Sequence, residues 1–141
     1  MKQEELNKVL EEHQNWLESE GEEGRQANLS LVNLVETNLY GVNLKEADLV
    51  GVGLVEADLK EANLEEANLL KATLSEVNLT EANLRKANLE RAYLYKANLK
   101  EANLEGIDLK RVVFKVTIVC EKNYNYLISQ GIKKDDLILE E

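Results

Sequence analysis

Few side chains in this sequence have the type and spacing that catalysis or metal binding requires. The chain contains one histidine, His13, and one cysteine, Cys120, and the two are far apart in the sequence. There is no glycine-rich phosphate loop and no Ser/His/Asp arrangement, and too few Cys and His residues for a structural zinc site. We therefore predict a protein that is not an enzyme and that uses no metal or cofactor.

His13 and Cys120 both have ordinary structural explanations. His13 lies beside Trp16 on a mostly apolar helix face, so we expect a packed residue and not a catalytic one. Cys120 has Lys122 as its closest cation in sequence and no nearby histidine to activate it, so we expect a small apolar filler. A lone cysteine cannot form an intramolecular disulfide, which fits a reducing compartment.

Charged side chains are abundant and mostly acidic. The 141-residue chain carries 27 acidic and 17 basic residues, a formal net charge of −10. This balance argues against direct binding to nucleic acid or to anionic lipid. The sequence lacks an apolar run of about 18 residues, and charges at its start replace the hydrophobic stretch of a secretory segment. We expect no membrane association and a cytoplasmic location.

Leucine recurs at every fifth residue over most of the chain. A small or branched apolar residue, usually Ala or Val, stands two positions before each leucine, and Asn or Asp usually stands between them. The repeat is A-N-L-x-x, and the two x positions are rich in Glu and Lys. Phe114 continues a series of seventeen leucines: Leu29, Leu34, Leu39, Leu44, Leu49, Leu54, Leu59, Leu64, Leu69, Leu74, Leu79, Leu84, Leu89, Leu94, Leu99, Leu104 and Leu109.

A period of five fits neither a helix nor a straight strand. On an α-helix, five residues advance about 140° beyond a full turn, so the leucines would be scattered around the axis. On a strand, an odd period sends successive leucines to opposite faces. All the leucines point inward only if the chain bends once per repeat in a constant sense. The sequence therefore predicts a closed coil whose successive turns pair through their backbones at about 4.8 Å.

These repeats resemble the pentapeptide-repeat family. The resemblance covers residues 27–116, eighteen consecutive repeats, and implies an all-β solenoid, a right-handed quadrilateral parallel β-helix with four repeats per coil. Eighteen repeats make about 4.5 coils, a rod roughly 22 Å long. Short members with a similar arrangement of ends are common in cyanobacteria. Four residues that replace Asn or Asp lie 20 positions apart, and the resemblance places them on one wall: Gly53, Thr73, Tyr93 and Val113.

The two ends differ from the repeats. Residues 1–26 are predicted to form a cap helix from Gln3 to about Ser19 followed by a linker, because apolar residues recur there at helical spacing and Gly21 and Gly24 follow. Residues 117–141 are predicted to form a C-terminal cap with a short helix near Lys122–Ser129. We expect a monomer; the alternative is an end-to-end homodimer through the Leu137–Leu139 tail.

Residues 20 apart should stack, so the outward positions form columns. Glutamates of the fifth repeat position fall into three of them: Glu36, Glu56, Glu76; Glu61, Glu81, Glu101; and Glu46, Glu66. The fourth column carries Lys71, Arg91 and Arg111. Five outward apolar residues form a patch on two adjoining walls: Leu31, Val35, Val50, Val55 and Leu70. The columns are either a solvated, self-paired surface or part of a contact surface. The patch is either a partner site or is covered by a terminal segment.

From these surfaces we predict a non-catalytic protein-interaction or scaffold module with an unknown protein partner. The alternative, implied by the family resemblance, is an acidic rod that imitates DNA and protects a type II topoisomerase from quinolones. Charge argues against the alternative, because residues 27–116 hold 14 acidic and 11 basic residues, a net of only −3. DNA of about 22 Å carries roughly 13 negative charges.

Overall fold

The computed structural model describes residues 1–141, and its centre is a stack of coils 20 residues apart. Isolated parallel bridges join residues 20 positions apart, beginning with Asn28 and Asp48 and ending with Asn98 and Ile118. Each coil therefore contains four five-residue repeats. The chain is a solenoid of short extended pieces, and only the last coils have regular strands.

The regular elements lie at the two ends. Helix α1 spans Gln3–Glu18. Strands β1, Tyr93–Tyr95, and β2, Val113–Lys115, pair in parallel; strand β3, Thr117–Val119, pairs in parallel with β4, Leu137–Leu139. Helix α2, Glu121–Ser129, and a 3₁₀ helix, Lys134–Asp136, connect β3 to β4.

We number the four walls of the coil by the column of second-position residues that each wall carries. The first three columns are Asn28, Asp48, Asn68, Asn88, Asp108 in wall 1; Asn33, Gly53, Thr73, Tyr93, Val113 in wall 2; and Asn38, Asp58, Asn78, Asn98, Ile118, Ile138 in wall 3. Wall 4 carries Asn43, Asn63, Asn83 and Asn103.

The core is the stacked leucines and the small residues beside them. Sixteen of the seventeen leucines are buried, and Leu109, which follows the last full coil, is half-buried. Phe114 continues the series and is also buried. The first repeat position is small because the backbones of adjoining walls approach each other there, and Ala62, Ala67 and Ala72 have no exposed surface.

Every corner has a backbone conformation that the sequence pattern did not reveal. In each repeat the leucine carbonyl accepts a hydrogen bond from the N–H three residues later, as from Val32 to Leu29 at 3.1 Å. The fifth-position residue between them has positive φ throughout the coil, from 54° at Val116 to 67° at Gly106. A positive φ at the third residue of a bonded four-residue turn is the mark of a type II turn. The coil therefore holds charged residues in the left-handed region at nearly every corner.

This geometry predicts the effect of a β-branched residue at a corner. Gly41 has φ 63°, and a β-carbon there would meet no atom within 4 Å, so any penalty comes from the backbone alone. We expect Gly41→Val to lower the free energy of unfolding by about 1 kcal/mol in urea titrations, because β-branched residues tolerate this region poorly. Gly41→Asn is the matched control and should cost less than about 0.5 kcal/mol. Equal losses would contradict the assignment of the turn.

Candidate protein-binding face

Three of the four walls present a polar outer surface. In these walls the second-position Asn or Asp accepts a hydrogen bond from the N–H two residues later, as Asn63 Oδ1 does from Glu65 at 3.1 Å. Side-chain amides also bond from coil to coil, for example from Asn83 Nδ2 to Asn63 Oδ1 at 3.2 Å. Wall 1 and wall 3 have the same amide contact, from Asn88 to Asn68 and from Asn78 to Asp58.

Wall 2 lacks this polar ladder. After Asn33 its outward column is Gly53, Thr73, Tyr93 and Val113, and the Thr73 hydroxyl donates to the Val52 carbonyl at 3.4 Å instead of accepting from its own turn. Tyr93 is 39% exposed and Val113 is 43% exposed. Wall 2 is therefore the one side of the rod whose outer column has few polar groups.

The predicted apolar patch borders this wall on both sides. Leu31, Val50 and Leu70 lie at the corner between walls 1 and 2, and Val35 and Val55 lie at the corner between walls 2 and 3. Leu31 is 81% exposed and Val35 is 42% exposed, while the other three are half-buried. Neither terminal segment covers Leu31 or Val35.

The patch and the unusual column therefore form one face. They look separate in the sequence, although a 20-residue offset applied to both places them side by side. Tyr95, whose ring stacks on Tyr93 at 6.3 Å, extends the face toward the corner between walls 2 and 3. We call the set of wall 2 and its two corners the wall-2 face.

Two acidic columns have different surroundings. Lys60 Nζ lies 3.6 Å from a Glu61 carboxylate oxygen and 3.7 Å from one of Glu81, so much of that column is paired within the chain. The Tyr40 hydroxyl donates to Glu61 at 2.8 Å, and this hydrogen bond raises the pKa of Tyr40 above its usual value. Glu101 makes no ion pair, and neither do the three glutamates that border wall 2, Glu36, Glu56 and Glu76.

His13 lies under the first coil and not on a reactive surface. Its ring is fully buried and stacks on Trp16 with centroids 5.7 Å apart. The Ala27 N–H donates to His13 Nδ1 at 3.0 Å, so this nitrogen is unprotonated and the neutral ring carries its proton on Nε2. Burial lowers the pKa of His13, against smaller opposing effects of the Lys45 carbonyl and the Glu46 carboxylate.

The lowered pKa of His13 predicts a pH-dependent stability. Unfolded histidine takes up a proton near pH 6.5, whereas the folded ring resists it, so the unfolded state binds more protons below that pH. The contribution of neutral His13 to the free energy of unfolding is fully present above about pH 6.5. It falls, by up to about 1.4 kcal/mol per pH unit, as the pH drops toward the lower pKa of the folded state. Urea titrations at about pH 7 and about pH 5.5 measure this loss.

His13→Asn is the matched control for that titration. The Asn side-chain oxygen can accept from the Ala27 N–H in place of Nδ1 but does not titrate. The control should lose less stability between the two pH values than the unaltered chain. An equal loss in both proteins would show that other groups, such as the many carboxylates, cause it.

The remaining possible sites are sparse. Cys120 is buried immediately before α2. No group of three or more His, Cys, Asp or Glu side chains is placed to hold a metal ion. The concave regions are shallow; one lies at the base of wall 2, lined in part by Val113, Phe114 and Ile132. Neither helix has the length and apolar character needed to cross a bilayer.

Comparison with known proteins gives a family model and several similar structures. The model for pentapeptide repeats matches eight copies over residues 25–54, 54–91 and 72–111. A comparison with curated proteins finds no match.

Two cyanobacterial structures are similar to the chain in sequence as well as in fold. HetL from Nostoc, a pentapeptide repeat protein involved in heterocyst differentiation regulation, is 39% identical with a TM-score of 0.64, over 67% of this chain and 45% of HetL. A pentapeptide repeat protein from Cyanothece is 40% identical with a TM-score of 0.63, over 65% of this chain and 63% of that one. The chain thus spans less than half the length of HetL.

A third similar structure shares the fold alone. QnrB1, a plasmid-mediated fluoroquinolone resistance protein, is 15% identical to this chain with a TM-score of 0.52, over 86% of this chain and 68% of QnrB1.

Proposed function

The chain belongs to the pentapeptide-repeat family, and we propose that it is a non-catalytic protein-interaction module that binds another protein through its wall-2 face. The observation that carries this proposal is that the outward column of wall 2, which has few polar groups, adjoins an apolar patch on both sides. The patch consists of Leu31, Val35, Val50, Val55 and Leu70. Rigid solenoids commonly bind through one extended surface, and exposed apolar patches rimmed by charge often mark such surfaces. The process that the protein serves is left open.

The proposal includes a finer architecture. We take the rod as a right-handed quadrilateral β-helix of about 4.5 coils, which four repeats per 20-residue coil support. The N-terminal segment acts as a cap, supported by buried Leu6 and by the bond from Ala27 to His13. The C-terminal segment acts as the other cap, supported by Asn123, whose buried side chain donates to the Leu99 and Ala102 carbonyls.

Binding and not catalysis is the function that these side chains support. His13 and Cys120 are both buried, and neither of them lines a concave region of the surface. A reducing, cytoplasmic setting suits an unpaired cysteine. The proposed module therefore works through contact surfaces, with the Glu36, Glu56, Glu76 column and the Glu61, Glu81, Glu101 column as charged parts of them.

The DNA-mimic alternative has less support. Its charge requirement is roughly 13 negative charges over about 22 Å, against a net of −3 for residues 27–116. The acidic columns are interrupted by bases such as Lys96, and Lys60 pairs with two of the glutamates. A gyrase supercoiling assay separates the two functions. We expect no inhibition at micromolar protein, and inhibition there would favour mimicry.

Affinity capture from the source organism tests the proposed function. The bait is the whole chain, compared with Thr73→Arg/Tyr93→Arg on the wall-2 face. The matched control is Glu66→Arg/Glu101→Arg, which alters two exposed corner residues that make no ion pair away from this face. Proteins bound by the unaltered chain and the control should be lost with the wall-2 variant. Capture of the same proteins by all three would contradict the proposal.

A further inference from the structure

The corner between walls 2 and 3 carries an ordered reversal of charge. Its fifth-position column runs Glu36, Glu56, Glu76, Lys96 and Val116, and Lys115 occupies the fourth position beside Val116. None of the five charged side chains takes part in an ion pair within the chain. This corner is therefore acidic toward the N-terminal coils, basic toward the C-terminal coils, and internally unpaired.

The outward column of wall 2 changes in size in the same direction. Gly53 presents no side chain, Thr73 lies one coil below it, and the large Tyr93 lies one coil further down. A β-carbon at Gly53 would make only ordinary contacts, at 3.8 Å, with Asn33 and Thr73, so a small gap lies between these two residues in the outward column. The face thus has a notch in its upper half and a protruding ring in its lower half.

We propose that the partner of the wall-2 face is a second copy of this chain, docked antiparallel about a two-fold axis that passes beside Thr73. This inference rests on the proposed function, because it assigns the partner of the same face. Such an axis reverses the order of the coils and sets each corner against the same corner of the copy. It departs from the monomer that the sequence predicts.

This arrangement makes the face complementary to itself. Glu36 meets Lys115 of the copy and Glu56 meets Lys96, and each contact occurs twice. Gly53 meets Tyr93 of the copy, so the protruding ring fills the notch, while Thr73 meets its own equivalent. Glu76 also meets its own equivalent, but it is exposed, and this one like-charge contact stands against four contacts between opposite charges.

The corner between walls 1 and 2 is compatible with the same packing. Leu31 and Gly51 in the upper coils lie opposite Arg111 and Arg91 of the copy, whose long apolar stems can cover exposed Leu31. Leu70 lies near the axis and meets its own equivalent. Lys71 is the one charged residue of this corner that faces a like charge, its own equivalent, and it is exposed and can remain in water.

A parallel packing of the same two faces is disfavoured by charge. A two-fold axis along the rod keeps each coil at its own level and exchanges the two corners. Lys96 would then face Arg91, and Lys115 would face Arg111. Like charges in contact destabilise an interface, so the antiparallel arrangement is the one that the surface supports.

The size of the face predicts weak association. Five coils at about 4.8 Å give a height of roughly 24 Å, and a wall with its corners is about 15 to 20 Å wide. The dimer would bury about 800 Å² in total, below the usual size of a stable specific interface. The association should therefore be measured at concentrations up to several hundred micromolar.

Sedimentation velocity from about 5 to about 500 µM tests the inference. We expect the average mass of the unaltered chain to rise with concentration toward that of a dimer. Glu36→Lys/Glu56→Lys and Lys96→Glu/Lys115→Glu should each weaken the association at least about tenfold, and an equimolar mixture of the two should restore it. Glu66→Lys/Glu101→Lys, a matched charge change elsewhere, should not weaken it. Circular dichroism melts establish that each variant is folded.

Cross-linking tests the position of the axis. In a Cys120→Ala background, Thr73→Cys should form an intermolecular disulfide on oxidation, because it faces itself in the proposed dimer. Lys86→Cys, exposed at a corner away from the face, should not. Equal cross-linking of both would overturn the assignment.

Three other results would overturn the inference. The first is that the unaltered chain stays monomeric at about 500 µM. The second is that Glu66→Lys/Glu101→Lys weakens the association as much as the wall-2 charge variants do. The third is that Ile138→Asp abolishes the association while the wall-2 charge variants do not, which would assign the contact to the β4 end. Any of these leaves the proposed function to the capture experiment, since the wall-2 face could still bind a different protein. If the dimer forms but the unaltered chain and the wall-2 variant capture the same proteins, the wall-2 face serves only for self-association.

Discussion

Leu74→Ala should lower the free energy of unfolding by about 3 to 4 kcal/mol, because it removes a fully buried side chain from the middle of the stack. Leu74 lies in wall 2 with Leu54 and Leu94 above and below it, and both neighbours are buried. Successive coils are joined within each wall by backbone hydrogen bonds, such as Leu74 N–H to the Tyr93 carbonyl at 2.8 Å, so the coil cannot collapse into the cavity. Urea titration followed by circular dichroism measures the loss.

Leu109→Ala is the matched control for this substitution. Leu109 belongs to the same series but is half-buried in the incomplete coil at the end of the stack, so less apolar surface is lost and no closed cavity forms. We expect a loss of about 1 to 2 kcal/mol. Equal losses at the two positions would contradict a tightly packed central stack.

Asn123→Leu should lower the free energy of unfolding by about 2 to 4 kcal/mol, although it introduces an apolar residue at a buried site. Asn123 Nδ2 donates to the Leu99 carbonyl at 3.0 Å and to the Ala102 carbonyl at 2.9 Å, and the residue is 3% exposed. Elsewhere in the stack an N–H 21 residues later fills that role, as Asn103 does for Ala82 at 2.9 Å. The Asn123 side chain thus replaces the backbone donor of a missing coil.

The control for Asn123 is Asn125→Leu on the same helix. Asn125 is exposed and makes no hydrogen bond through its side chain, so its replacement should change stability by less than about 0.5 kcal/mol. If Asn123→Leu hardly changes the free energy of unfolding, water or backbone movement satisfies the Ala102 carbonyl. In that case α2 does not cap wall 4.

Much of the coil could be predicted because its cause is a local repeat. A leucine at every fifth residue leaves only a chain that bends once per repeat, and the bridges at an offset of 20 confirm the four-repeat coil that the family resemblance implies. The column of Gly53, Thr73, Tyr93 and Val113 follows from the same offset and is confirmed.

Other features depend on contacts that no repeat encodes. The positive φ of fifth-position residues such as Glu61 is invisible in the pattern, because Glu and Lys occupy both variable positions while only the second must adopt the left-handed conformation. The pairing of β3 with β4 was also not foreseen. The chain returns to wall 3 after 20 residues, as if it had completed another coil, although α2 and the 3₁₀ helix replace three of the walls.

The candidate site was predictable in its parts but not as a whole. Leu31 and Val35 were identified as outward residues from the repeat position, and they are exposed. Their union with Tyr93 requires knowing which wall lies between the two corners. The difference between the unpaired Glu56 and the paired Glu61 depends on the direction of the Lys60 side chain, which composition does not determine.

The central claim is that this chain contacts a second copy of itself through its wall-2 face, and dilution of an isotope-labelled sample observed by nuclear magnetic resonance tests this self-association most directly. Between about 500 and about 10 µM, the amide signals of Gly53, Thr73, Tyr93 and Val113 should shift together. The signals of Asn63 and Asn83 in wall 4 should remain in place. Shifts confined to Ile138 and Leu139, or spread equally over all four walls, would contradict the claim.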